Sequence, residues 1–309
     1  MKIYISKITL LLFLGFLSQV VHRVQAQQDS QFTQYMYNTV SINPAYAGTR
    51  ESLSIIGLYR NQWVGLEGAP ETLNFTAHSP VGIQGVGLGL AFTSDKIGPT
   101  VESIVSADFS YNLNLTEKLK LSFGIKGGFS LLDFDPSKLV IYNPNDYDLA
   151  LDNYSSPIVG VGFYLHSKTW YFGLSTPNIL ETEYYDEVQV STATEKMNLY
   201  FIAGYVAQLN PRLKLKPAVL LKSVQGAPMA IDVSVNALLK ERITFGLAYR
   251  LDAAVSALAG FQIDNNIMIG YAYDYDTTPL GNYNSGSHEI FLRFELGTRL
   301  RAKVNPRFF

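Results

Sequence analysis

Leu119-Lys-Leu-Ser-Phe-Gly-Ile-Lys-Gly-Gly-Phe-Ser-Leu131 sorts its residues by parity. Leu119, Leu121, Phe123, Ile125, Phe129 and Leu131 fall on one set of alternate positions, and Lys120, Ser122, Lys126 and Ser130 on the other. Successive side chains of a β-strand point to opposite faces, so this stretch separates an apolar surface from a polar one. A soluble sandwich buries the apolar face against a second sheet. A membrane barrel turns it to lipid and keeps the polar face in the lumen.

The same alternation recurs to the end of the chain. Val86, Leu88, Leu90 and Phe92 alternate with Gly85, Gly87, Gly89 and Ala91; Met229, Ile231, Val233 and Val235 alternate with Ala230, Asp232, Ser234 and Asn236. Ile267, Ile269, Tyr271, Tyr273 and Tyr275 alternate with polar or small residues in the same way. Candidate strands are 52–63, 71–79, 85–94, 101–113, 119–131, 157–166, 169–176, 197–208, 213–223, 228–239, 243–251, 254–263, 267–276 and 287–297. Most are about 9–11 residues, the length that crosses a bilayer at a tilt. With a periplasmic N-terminus, the inner turns 80–84, 114–118, 167–168, 209–212, 240–242 and 264–266 are all short. The three longest connections, 132–156, 177–196 and 277–286, all fall on the other side. Short turns inside and long loops outside is the outer-membrane pattern, whereas a sandwich has no reason to sort its loops. The expected fold is therefore all-β: a transmembrane, antiparallel, up-and-down β-barrel of about fourteen strands.

The inner face carries Asp108, Lys126, Lys222, Asp232, Arg250, Asp274, Glu289, Arg293 and Glu295. A Lys or Arg facing lipid costs about 2–4 kcal/mol near the midplane, so these charges orient the strands. They can form an ion-selective path or a salt-bridge network that stiffens the wall. Glycine and alanine on the inner face leave room inside the barrel or allow strong curvature. The lumen is then either open or filled by an outer loop or by the stretch 27–50.

The chain opens with an export signal: Lys2 and Lys7, an apolar run from Ile8 to Leu17, and small residues at Val24-Gln-Ala26. That run is too short for a transmembrane helix. The expected organisation is a signal peptide over 1–26, a periplasmic N-terminal segment over 27–50, a barrel over 51–297 and a periplasmic tail over 298–309. Removing the leader takes the formal charge from −2 to −5, which argues against nucleic acid as a partner. There is no cysteine, so disulfides and thiol chemistry are excluded. Twenty Tyr and 18 Phe against 2 Trp suit the aromatic girdles of a barrel, with strand propensity contributing part of the excess.

Chemistry is sparse. The histidines of the exported chain, His78, His166 and His288, fall on separate strands, and no motif sets a nucleophile beside a base, so no enzyme activity and no cofactor is expected. The run Asn143-Pro-Asn-Asp-Tyr-Asp148 with Asp152 offers oxygen ligands of the kind calcium prefers, but lacks the glycine and terminal glutamate of an EF-hand loop. Such polar loops are common without any ion, so no metal is assigned.

Specific words then narrow the reading. Asp29-Ser-Gln-Phe-Thr-Gln-Tyr-Met-Tyr-Asn38 and Asn43-Pro-Ala-Tyr-Ala-Gly48 are followed by Tyr59-Arg-Asn-Gln-Trp63, Gly68-Ala-Pro-Glu-Thr72 and Phe75-Thr-Ala-His-Ser-Pro80. Asp95-Lys-Ile-Gly-Pro99, Gly173-Leu-Ser-Thr-Pro-Asn178, Gly270-Tyr-Ala-Tyr-Asp274, Gly286-Ser-His-Glu-Ile290 and Asn305-Pro-Arg-Phe-Phe309 continue the series. In this order the words resemble the PorP/SprF family of type IX secretion system outer-membrane proteins. The Tyr-rich acidic stretch 181–187 departs from the pattern. The resemblance implies a barrel beside the main translocon that assists export or surface anchoring of a cargo such as an adhesin. That cargo carries a C-terminal secretion domain, and in many relatives the machine supports gliding motility. It also implies contact with periplasmic ring or peptidoglycan-binding components, besides outer-membrane lipid. Candidate partner-binding residues are Asp29, Gln31, Phe32, Gln34, Tyr35, Asn43, Pro44 and Tyr46, with Arg299, Arg301, Lys303 and Arg307 of the basic tail. The alternative is an outer-membrane pore for small solutes lined by the charges named above.

Overall fold

In a computed structural model that describes residues 31–138, 154–183 and 194–296, the alternating stretches close into one fourteen-stranded antiparallel β-barrel. The wall strands are β1 (Leu53–Asn61), β2 (Glu71–Pro80), β3 (Val86–Ile97), β4 (Thr100–Asn114), β5 (Lys120–Phe134), β6 (Tyr154–His166) and β7 (Trp170–Thr176). They continue as β8 (Asn198–Tyr205, carried on by Ala207–Asn210), β9 (Leu213–Val224), β10 (Ala230–Leu239), β11 (Ile243–Arg250), β12 (Ala254–Gln262), β13 (Ile267–Asp276) and β14 (Ser287–Leu296). Each strand pairs with its neighbours in sequence, and β1 pairs with β14 from Leu53↔Leu296 to Asn61↔His288, which closes the ring and leaves no free edge.

The parity of the sequence becomes the two faces of the wall. In β5, Phe123, Ile125, Phe129 and Leu131 are exposed, while Ser122, Lys126 and Ser130 are buried. Outside, the exposed residues are apolar: Leu88 and Leu90 on β3, Phe109 on β4, Phe245 and Leu247 on β11. Exposed tyrosines stand toward both rims, Tyr59, Tyr249 and Tyr275 toward one and Tyr111 and Tyr205 toward the other, where amphipathic rings meet the membrane–water boundary.

All connections longer than five residues open at one end of the barrel, here the long-loop end, and the opposite, short-turn end carries only tight links. The wall is uneven. Strands β3 to β6 run 12 to 15 residues, longer than the sequence suggested; β4 gains one residue at each end, and the extra length of β3, β5 and β6 lies at the long-loop end. There the alternation gives way to polar residues, with Ser94 paired to Ser103 and Asp95 to Glu102. The sequence bounds stopped where amphipathic alternation stops, whereas the ladder of backbone hydrogen bonds continues beyond the lipid-facing part. The connection 177–197 also carries a two-residue ladder, Thr182–Glu183 with Thr194–Glu195.

Candidate functional site: the filled lumen and its two mouths

Ahead of β1, residues 31–50 lie inside the barrel. From Phe32 to Arg50 every residue except Ser41 is buried. Its apolar side chains, among them Phe32, Tyr35, Met36, Tyr37, Val40, Ile42 and Tyr46, form one core with Ile56, Leu58, Tyr164, Ile202 and Phe291 of the wall. A barrel whose outer face is given to lipid has only its lumen in which to bury such a segment from water, and this stretch supplies the side chains that fill it. Two 3₁₀ turns, Thr39–Ser41 and Pro44–Tyr46, compact the segment; the side chain of Asn43 caps the second by accepting from the Ala45 N–H at 3.0 Å.

The segment descends the lumen in order. Gln31 donates to Asp232 near the start of β10. The Thr33 and Gln34 N–H groups donate to the two carboxylate oxygens of Glu289 at 2.9 and 2.8 Å, and the Thr33 hydroxyl donates to Asp274. Arg60 completes this cluster, 2.7 Å from Asp274 and 3.1 Å from Glu289, with all three side chains at most 4% exposed. Lower, Asn38 donates to Asn74 at 2.6 Å and accepts from Thr76 at 2.7 Å. Asn43 donates to the Phe163 carbonyl, Ser110 donates to the Ala47 carbonyl, and the Gly48 N–H donates to Nδ1 of His78. At the short-turn end Arg50 forms an ion pair with Glu295. The first and last of these anchors on β14, Glu289 and Glu295, are six residues apart, about 20 Å along a strand.

Glycines on the inner face of β3 to β7 make this approach possible. A Cβ on Gly124 would stand 2.2 Å from the Ala45 nitrogen, and one on Gly162 2.2 Å from Asn43 Oδ1, so the wall there is bare where the plug backbone lies against it. Gly127, on the lipid face of the same strand, has open space where its Cβ would be.

All nine charges singled out from the sequence lie on the inner face. Asp108 pairs with Lys126 at 3.1 Å, Asp232 with Arg250 at 2.9 Å, and Lys222 stands 5.7 Å from the Tyr200 ring centre. Arg293 lies 3.8 Å from Glu295. Among the described residues, besides Arg50 of the lumenal segment, three further buried cations of the wall were missed. Lys214 and Lys216 alternate with Leu213 and Leu215, a signal that could have been read; Lys216 lies 5.3 Å from the Tyr37 ring centre. Arg60 was hidden because the inner face of β1, Ile56 and Leu58, is as apolar as its outer one.

Residues 31–50, expected to lie in the periplasm, pack inside the barrel, the alternative that the sequence left open for the stretch 27–50. Gln31, Phe32, Gln34, Tyr35, Asn43, Pro44 and Tyr46 contact the lumen wall or one another inside it, because a segment so rich in apolar side chains is more stable buried than in water. Asp29, Arg299, Arg301, Lys303 and Arg307 fall outside the described residues, as do Asn143–Asp148 and Asp152. The histidines are scattered: His78 holds the plug, His166 lies near Tyr164 at the short-turn end, and Nδ1 of His288 meets the Tyr271 hydroxyl at 2.6 Å.

The two mouths differ in charge. Among the described residues, the connections at the long-loop end contain six acidic residues and two basic ones, and the short turns three acidic and five basic ones. A cavity of about 640 Å³ opens at the short-turn mouth beside the end of the plug, lined by Thr49, Glu51, Tyr111, Asn112, Lys120 and His166 among others.

A family model described as type IX secretion system membrane protein PorP/SprF matches residues 24–294. No curated protein matches the chain. In fold it is similar to the Ralstonia pickettii toluene transporter TbuX, with 10% identity and a TM-score of 0.50 over 85% of this chain and 94% of that one. The Acinetobacter baumannii outer membrane protein Omp33 gives 7% identity and a TM-score of 0.49 over 80% of this chain and 100% of that one.

Proposed function

Because the chain belongs to the PorP/SprF family of type IX secretion system membrane proteins, we propose that it is a non-enzymatic adaptor of that machine. It holds or anchors an exported cargo protein at its outer face and meets periplasmic components of the machine at its inner face. The long-loop end is taken as the outer one and the short-turn end as the periplasmic one, following the loop pattern of outer-membrane barrels.

The observation that carries this reading is the filled lumen. A chain that devotes the inside of its barrel to its own residues 31–50, fastened by ion pairs and hydrogen bonds from Asp232 to Glu295, invests in a stiff wall with two displayed mouths. The opposite charges of the mouths supply two distinct docking faces: an acidic one for a cargo that presents basic residues, and a basic one, including Arg299, Arg301, Lys303 and Arg307, for an acidic periplasmic partner. The cavity beside Thr49 and His166 gives the inner face a recess.

The test is an affinity pull-down of the tagged protein from detergent-solubilised outer membranes, with co-purified proteins identified by mass spectrometry. Recovery of a large exported protein together with periplasmic components supports the adaptor role. Recovery of the barrel alone in mild detergent, together with steady ion conductance in planar bilayers, would shift the assignment to a solute pore.

A further inference from the structure

The direction of the lumenal segment has a consequence for what lies at the cell surface. β1 begins at the short-turn mouth, where Leu53 pairs with Leu296, and Arg50 sits beside it on Glu295. Going backwards from Arg50, the segment climbs steadily: Gly48 at His78 and Ala47 at Ser110 low in the barrel, Asn38 at Asn74 and Thr76 midway, Thr33 and Gln34 at Glu289 high up. It ends with Gln31 on Asp232, two positions into β10 from the long-loop rim, and Gln31 is partly exposed where Phe32 to Val40 are buried. The segment 31–50 thus threads the lumen once, from Gln31 at the long-loop mouth to Arg50 at the short-turn mouth.

We propose that the amino-terminal end of the plug, at Gln31, opens on the cell surface and forms part of the face that meets the exported protein, instead of the periplasmic face. The inference rests on the outer-membrane orientation adopted above. It puts the amino end of the plug at the mouth that carries Glu67, Asp135, Glu181 and Asp252, and it leaves the short turns as the periplasmic face. The partner it fits is an extracellular polypeptide that touches Gln31 from above the membrane, beside the Asp232–Arg250 ion pair of the wall.

The natural chain has no cysteine, which permits a clean test by single-cysteine labelling. Gln31→Cys, Glu51→Cys and Tyr283→Cys are expressed separately in full-length protein and treated with a membrane-impermeant maleimide, in intact and in permeabilised cells. Tyr283 is 74% exposed in a long connection and reports the orientation of the barrel; Glu51 is exposed at the opposite mouth. The expected result is full labelling of Gln31→Cys and Tyr283→Cys in intact cells, with Glu51→Cys labelled only after permeabilisation. Labelling of Tyr283→Cys from outside, with Gln31→Cys reached only after permeabilisation or not at all, overturns the proposal while the orientation stands. Labelling of Glu51→Cys alone from outside instead overturns the orientation. A protease site inserted directly before Gln31 provides a second readout: cleavage by external protease in intact cells is expected, and protection there overturns the proposal.

Discussion

Arg60 carries more of this barrel than its position in the sequence suggests. It stands between Asp274 and Glu289, and through Glu289 it supports the two backbone N–H groups that hold the plug at its upper end. Removing one member of a buried ionic group leaves the others uncompensated, at a cost of about 3–5 kcal/mol. Arg60→Met is therefore expected to lower the thermal unfolding midpoint of the purified protein markedly, and adding Asp274→Asn to recover part of the loss. Equal or additive losses would mean that the three groups do not act together. A second residue-scale test uses two glycines of one strand. Gly124→Ala puts a methyl group 2.2 Å from the Ala45 backbone and should cost about 1–3 kcal/mol by overpacking. Gly127→Ala, facing open space on the lipid side, should change stability by no more than about 0.5 kcal/mol. Comparison of their denaturation midpoints in lipid checks the difference. The nine lumen charges were legible because each sits opposite apolar neighbours on its strand; Arg60 was not, because Ile56 and Leu58 share its face.

At the scale of elements, the plug and the wall depend on each other unequally. The wall strands pair with one another all the way round, so the backbone ladder does not require residues 31–50. The inner face does, since Ile56, Leu58, Tyr164, Ile202 and Phe291 lose their packing partners without it. Deleting 31–50 with residues 1–30 kept is expected to leave a barrel that still shifts mobility on heating, with a lower unfolding temperature and a larger, steadier conductance in planar bilayers. An unchanged conductance would show that the plug does not set passage through the lumen. The strands were legible from period-2 alternation and their number from counting; the upper ends of β3, β5 and β6 were not, because pairing continues there through polar residues such as Ser94 and Asp95. The plug was not placed by its own sequence either. Phe32, Tyr35, Met36 and Tyr37 follow no strand period, and nothing local distinguishes a lumenal segment from a periplasmic one.

For the whole molecule, the contrast between the mouths predicts that its two kinds of partner can be lost separately. Changing Arg299, Arg301, Lys303 and Arg307 to Gln should remove periplasmic proteins from the pull-down while cargo remains. Changing Asp135, Glu181 and Asp252 to Asn or Gln should weaken cargo recovery and spare the periplasmic set. Loss of both sets from either variant would mean that charge at the mouths does not sort the partners. By itself the sequence determined the fold class, the strand count, the orientation of side chains across the wall and the family, because these depend on local parity, on loop lengths and on contiguous words. The tertiary structure alone decided that residues 31–50 fill the lumen, that they run from Gln31 at the long-loop mouth to Arg50 at the other, and that Arg60, Asp274 and Glu289 meet. Those facts join residues more than 200 positions apart, and they exist only once β1 has closed on β14 and made an interior for them to share.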